Sequence, residues 1–131
     1  MITEKLVVID LFAGAGGFSL GFEMAGFVVP ISVEIDAWAC DTLRYNHPQM
    51  TVIQNDIREL NTLTTVKEIC FYNPDIIIGG PPCQGFSIAG PAQKDPNDPR
   101  NTLFTEMLNV FTKVYIVRYS SPIKGENVNI S

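Results

Sequence analysis

"KLVVIDLFAGAGGFSLGFEMAG", residues 5–26, passes through three kinds of backbone without a break. "KLVVIDLF" (5–12) is a short apolar run rich in β-branched residues, the pattern of a buried strand. "AGAGG" (13–17) follows, and its glycines can take positive φ without steric cost. "GFSLGFEMAG" (17–26) then reads as a helix, with Phe18, Phe22 and Ala25 roughly on one face and Gly26 as its stop. Strand, glycine turn and helix in this order open a βαβ unit.

The remainder repeats the alternation. "FVVPISVEID" (27–36) is a second strand whose first half is weakened by Pro30. "AWACDTLRYN" (37–46) is a helix ended by His47-Pro48, because a residue before proline is pushed out of helical geometry. "TVIQND" (51–56) is a third strand, a helix follows around 61–71, and "DIIIGG" (75–80) is a fourth strand. A loop rich in Pro, Gly and Asp (81–100) leads to a helix over 101–114, with Leu103, Phe104, Met107, Leu108 and Phe111 at i, i+3, i+4 spacing. No internal repeat is visible. The expected fold is α/β, a doubly wound, mostly parallel sheet with helices on both faces. Such sheets bind ligands beyond the carboxyl ends of their strands, where strand order reverses. With strands 1 and 4 adjacent at that point, "AGAGG" and "PPCQG" (81–85) flank one crevice.

Bulk properties narrow the options. A chain of 131 residues with 46% hydrophobic content suits one domain with a real core. Net charge is −5, so composition alone does not advertise a freestanding nucleic-acid binder with a basic face. Cys40, Cys70 and Cys83 are widely spaced, no CxxC occurs and His47 is the only histidine, so no metal site is expected. The apolar start is short and interrupted by Asp10, unlike a signal peptide or a membrane span. Free thiols without an export signal point to the reducing cytoplasm.

Two loops carry candidate chemistry. Gly14, Gly16 and Gly17 sit between a strand and a helix whose N-terminal N–H groups are free to meet a ligand. The dinucleotide fingerprint G-x-G-x-x-G is incomplete, because Ser19 stands where the third glycine belongs. Glu34 ends the second strand, where a carboxylate can accept from both hydroxyls of a ribose. Asp56 ends the third, where one could meet an adenine amino group. Each feature alone is equally a tight turn or a solvated acid; together they favour a nucleoside-containing cofactor. In the other loop, Pro81 and Pro82 stiffen the approach to Cys83 and Gly85 lets the chain turn away. Cys83 is either packing filler or a nucleophile. His47 lies far from strand 4 in this topology, so a Cys–His pair is not expected. Cys40 and Cys70 fall inside helical patterns and read as inert core thiols.

"DLFAGAGGFSLGFEMAGF" (10–27), then "VEID", "NDI" and "GGPPCQGFS" in order, resemble the motifs of the DNA cytosine C5-methyltransferases, over about residues 6 to 112. The resemblance implies a Rossmann-like S-adenosylmethionine-dependent methyltransferase fold, incomplete at its C-terminal end. Residues 1–112 would be the cofactor-binding catalytic core and 113–131 a divergent tail. It implies S-adenosylmethionine as cofactor, with Phe12 packing on the adenine, Gly14, Gly16 and Gly17 along the methionine portion, and Glu34 on the ribose hydroxyls. Ile35 would cover the adenine face, Asp56 and Ile57 would meet its edge, and Pro81 and Leu103 would close the pocket. Cys83 would be the nucleophile that adds to carbon 6 of cytosine, making carbon 5 reactive enough to accept a methyl group. Gln84 and Ser87 would contact substrate, which is double-stranded DNA with the target cytosine flipped out.

The resemblance has an edge. The family glutamate in "ENV" has a counterpart at Glu126, but "ENV" (126–128) lies farther from "RNTLF" (100–104) than the family pattern, after a polar "YSSPIKG". Glu126 therefore stays open as a catalytic residue. The family's later arginine-bearing, target-recognition and cofactor-closing segments have no match here, so the expected partners include a complementary chain carrying target recognition. The alternatives are an inactive remnant, an RNA cytosine methyltransferase, and a nicotinamide-dependent oxidoreductase, the last disfavoured by Ser19.

Overall fold

A computed structural model describes residues 4–60, 62–82, 97, 99 and 101–120. The elements run β1 (Val7–Leu11), α1 (Gly17–Met24), β2 (Val28–Glu34), α2 (Ala37–Asn46), β3 (Thr51–Gln54), a 3-10 turn (Ile57–Glu59), α3 (Leu63–Phe71), β4 (Ile76–Gly79) and α4 (Asn101–Ser120). The strands form one parallel sheet in the order β3-β2-β1-β4. This is the expected α/β arrangement, with the first and fourth strands adjacent. Leu11 pairs with Val33 on one side and Gly79 on the other, so β1, β2 and β4 end level and their following loops leave from one edge.

Side-chain alternation along β1 sorts two cores. Ile9 and Leu11 point to the face covered by α3 and α4, where they join Ile31, Val33, Val66, Ile69, Val110 and Val114. Val8 points to the other face and packs with Val29, Leu43 of α2 and the partly buried Phe22 of α1. A fully buried aliphatic side chain contributes about 1.5–3 kcal/mol, so the α3/α4 face is held mainly by apolar area. The α1/α2 face is different, because Asp10, Ser19, Ser32 and His47 are all buried. Its stability depends on how those groups are hydrogen-bonded.

Pro30 weakens the first half of β2, as expected. Between Val7↔Val28 and Ile9↔Ile31, β2 advances three residues while β1 advances two, so an irregular step falls at Val29 and Pro30. Pairing with β3 starts only at Ile31↔Thr51. The missing N–H of proline is absorbed in a bulge. The same step turns Val29 toward one core and Ile31, two residues on, toward the other.

Two helices differ from their sequence reading. In α1 the inward residue is Ser19, while Phe18 is 62% exposed; the physical reason is the bond from Ser19 to Asp10 described below. Helix α4 runs to Ser120, past the expected end at 114 and through residues assigned to the tail, with Val110 and Val114 buried against α3. Its apolar set divides: Leu103 and Met107 pack on the core, whereas Phe104, Leu108 and Phe111 are exposed. Glu126 lies outside the described residues. Among the described residues, no helix is long and apolar enough to cross a membrane and no group of three or more potential ligands could hold a metal ion.

Candidate functional site

Beyond Leu11 the chain turns through left-handed backbone three times, at Phe12 (φ 60°), Gly14 (φ 56°) and Gly16 (φ 95°). Ala13 N–H donates to the Val33 carbonyl at 3.0 Å and Gly16 N–H to the Ala13 carbonyl at 3.1 Å, tying the turn to the end of β2. Gly16 is also the N-cap of α1 and lies directly on α2. A Cβ there would come within 2.8 Å of Leu43 Cδ2 and 3.1 Å of His47 Nε2. Positive φ at Phe12 is strained for a residue with a side chain, costing about 1–3 kcal/mol. Nothing in the sequence signalled that strain, and Phe12 lines the cleft described below.

Glu34 closes the turn from the neighbouring strand. Its Oε2 accepts from Gly14 N–H at 2.7 Å, and its Oε1 accepts from Ile35 N–H and Asp36 N–H, both at 2.9 Å. A carboxylate offers about four acceptor positions, so about one remains, on Oε2. In this arrangement Glu34 has room for one more donor, rather than the two ribose hydroxyls anticipated.

Asp56 N-caps the 3-10 turn and is gripped by Arg58, two residues on. Its Oδ1 accepts from Arg58 N–H at 2.9 Å and Nε at 3.0 Å, and its Oδ2 accepts from Nη2 at 2.5 Å and Nε at 3.1 Å. The guanidinium fork holds the Asp56 carboxyl below the usual carboxylate value. Sequence reasoning missed Arg58. The signal was available in "NDIR", where a cation follows a strand-end acid at a spacing that one tight turn can close.

These strand ends enclose a cleft of about 210 Å³. Phe12 comes from beyond β1, Val33, Glu34 and Ile35 from the end of β2, Asn55 to Arg58 from beyond β3, Gly80 and Pro82 from beyond β4, and Leu103 from α4. Six of the anticipated residues therefore share it: Phe12, Glu34, Ile35, Asp56, Ile57 and Leu103. Gly14, Gly16 and Gly17 shape the adjoining turn without lining the cleft, and Pro82 lines it where Pro81 was anticipated. Cys83, Gln84 and Ser87 lie outside the described residues. A larger hollow of about 420 Å³ around Lys5, Phe27 and Met50 gathers none of the anticipated residues. It borders the start of β2, at the opposite end of the sheet from the cleft where the strand-end acids converge.

Behind the turn lies a buried polar pair that the sequence reading also missed. Ser19 Oγ donates to Asp10 Oδ2 at 2.6 Å, linking the first turn of α1 to β1. Burial pushes the Asp10 carboxyl above its ordinary value, against the Ser19 hydrogen bonds that favour the charged form. The pair thus ties β1 to the first turn of α1, which has no side-chain cap of its own. On the far side of Gly16, His47 Nδ1 bonds Glu23 Oε2 at 2.9 Å, joining the loop after α2 to α1.

Residues 6–114 match the family described as C-5 cytosine-specific DNA methylase. The chain is 50% identical over 107 residues to the type II methyltransferase M1.HphI of Haemophilus parahaemolyticus, an alignment covering 81% of this chain and 29% of that relative. It is 45% identical over 115 residues to M.DdeI of Desulfomicrobium norvegicum, covering 88% and 25% respectively. A solved structure of a prophage-encoded DNA modification methyltransferase from E. coli superposes with a TM-score of 0.68 at 39% identity, covering 85% of this chain and 30% of that one. The chain thus spans less than a third of the length of these three relatives.

Proposed function

The chain belongs to the C-5 cytosine-specific DNA methylase family, and on that premise we propose that it forms the cofactor-binding and nucleophile-bearing part of an enzyme that methylates carbon 5 of cytosine in DNA. The observation that carries this reading is the convergence of Phe12, Glu34, Ile35, Asp56, Ile57 and Leu103 on one cleft at the carboxyl ends of the strands. Its walls are apolar at Phe12, Ile35, Ile57 and Leu103, as a purine ring requires, and its acids sit at two separate strand ends, as a ribose and a base edge require. The donor set therefore fits S-adenosylmethionine. When bound, the cofactor supplies a methyl group made electrophilic by its sulfonium.

The chain's own residues take the following parts. Glu34 accepts from the ribose, while its bond to Gly14 N–H keeps the glycine turn in place beside the methionine portion. Gly14 and Gly17, where an added Cβ would meet nothing within 4 Å, keep that side of the seat free of side chains, and Gly16 lets the turn close on α2. Asp56 and Ile57 meet the adenine edge, Ile35 covers its face, and Pro82 and Leu103 bound the pocket. Cys83, the residue after the cleft-lining Pro82, adds as thiolate to carbon 6 of the cytosine. Carbon 5 then gains the methyl group and loses its proton to a base, and the electron pair left behind re-forms the ring double bond and expels Cys83. Gln84 and Ser87 contact the flipped base and its strand.

The net charge of −5 leaves few cations to neutralise phosphates. Most of the DNA surface, and the choice of target site, accordingly belong to a complementary chain or to further sequence of the kind the longer relatives carry. The free thiols at Cys40 and Cys70 suit a reducing cytoplasm. The test is methyl transfer to cytosine-containing duplex DNA, with covalent trapping on 5-fluorocytosine DNA, by the chain alone and with a co-expressed target-recognition chain. Transfer and trapping in the pair, both abolished by Cys83→Ser, are expected. Trapping that survives Cys83→Ser would remove Cys83 from its role, and cofactor binding without transfer in any pairing would show an inactive remnant.

A further inference from the structure

Phe18, the second residue of α1, is 62% exposed although Ser19 beside it is fully buried. A single exposed phenyl ring is ordinary where it faces open solvent. This ring stands beside another element. A Cβ built on Gly80 would meet Phe18 Cε2 at 3.9 Å and no other atom within 4 Å. Gly80 follows β4, lines the cleft and precedes Cys83 by three residues in the sequence. On the other side, Phe18 continues directly from Gly16 and Gly17 of the turn after β1. The two loops leave the sheet side by side, because Leu11 pairs with Gly79. Phe18 therefore stands between them, next to Gly80 without itself lining the cleft. It belongs to neither hydrophobic core, so packing of the fold does not account for an aromatic ring there.

The same junction is where the two halves of the proposed reaction meet. The glycine turn borders the methionine portion of the cofactor, and the loop after β4 carries Cys83. Methyl transfer requires sulfonium and cytosine to approach each other between those loops. The bonding electron pair stays on sulfur when the methyl group leaves. The product is therefore a neutral thioether at that atom and unchanged elsewhere. An aromatic ring draws a cation through its quadrupole, whereas a thioether gains only ordinary contact. An aliphatic side chain would wall the junction without that preference. We propose that Phe18 is a specificity-determining residue whose ring, beside Gly80, biases the seat toward the sulfonium cofactor over its thioether product. This rests on the reading of the glycine turn and the cleft as the cofactor's seat.

The experiment is titration calorimetry of the chain with S-adenosylmethionine, S-adenosylhomocysteine and sinefungin, which carries an ammonium in place of the methyl sulfonium. Wild type, Phe18→Leu and Phe18→Tyr are compared, with circular dichroism confirming the fold of each. Phe18 is exposed, so neither substitution disturbs a core. A partly desolvated cation–aromatic contact corresponds to about three- to tenfold in affinity. Phe18→Leu should weaken both cationic ligands by about that factor and leave S-adenosylhomocysteine within about twofold of wild type. Phe18→Tyr keeps the aromatic face and should hold all three within about twofold. If Phe18→Leu weakens the three ligands equally, the ring is only a wall and the inference is overturned. If it changes none of them, the ring does not meet the ligand, which overturns the inference and leaves the seat standing. Wild type that binds none of the three overturns the seat and the inference together.

Discussion

Ser19→Ala should destabilise this protein more than replacing the acid it bonds. The hydroxyl donates at 2.6 Å to Asp10 Oδ2 in a site where both residues are 0% exposed, and Asp10 Oδ1 already has no hydrogen-bond partner among the described residues. A bond to a charged group contributes about 1.5–3 kcal/mol, and a buried acceptor stripped of its donor keeps its desolvation penalty. We expect Ser19→Ala to cost about 2 kcal/mol, which for a domain of this size lowers the melting temperature by roughly 6–10 °C. Asp10→Asn keeps the volume, still accepts from Ser19 and removes the titratable group. The Ser19 bond stays paired, so the net change at neutral pH should stay below about 1 kcal/mol. The pH dependence separates these terms. Because burial raises the Asp10 carboxyl above 3.8, the folded protein holds a proton there that the unfolded chain releases. The contribution is full below 3.8 and is lost as pH rises through the folded value. Wild-type stability minus Asp10→Asn stability should therefore decline as pH rises from 4 toward neutrality, read by urea unfolding at a series of pH values. Two results would refute the reasoning: Ser19→Ala within about 0.5 kcal/mol of wild type, or a difference that grows with pH.

The glycine turn and a buried thiol supply two more tests. Gly16→Ala must place a methyl 2.8 Å from Leu43 Cδ2 at φ 95°, and should cost about 2–4 kcal/mol in urea unfolding; Gly17→Ala, with nothing within 4 Å of its Cβ, should stay within about 1 kcal/mol, and equal effects would contradict the packing of the turn on α2. Cys40 is fully buried and burial pushes its thiol up, so iodoacetamide at neutral pH should leave it unmodified in the folded protein and label it after denaturation, as read by peptide mass spectrometry; labelling of Cys40 in the folded chain would refute its burial.

Much of the fold was legible because it is written in short-range pattern. The run at 5–12 becomes β1, trimmed at each end, and 37–46 is α2 to the residue, closed by the His47-Pro48 step. Readings failed where a distant partner overrode local pattern. Helical periodicity favoured Phe18 as an inward residue of α1, yet Ser19 turns inward because Asp10, nine residues earlier, waits for its hydroxyl.

The candidate site divides along the same line. Residue order alone was enough to place glycines between a strand and a helix, and Glu34 and Asp56 at the ends of two strands, since each of these depends on its immediate neighbours. Three-dimensional packing decided what those groups do. Register brings the ends of β1, β2 and β4 level so that their loops share one cleft. The same packing holds Phe12 in left-handed backbone and commits Glu34 to Gly14 across 20 residues of chain. Which hydrogen bonds a carboxylate has left to offer depends on every donor that the fold brings to it, near or distant in the chain, and that sum exists only once the chain is folded.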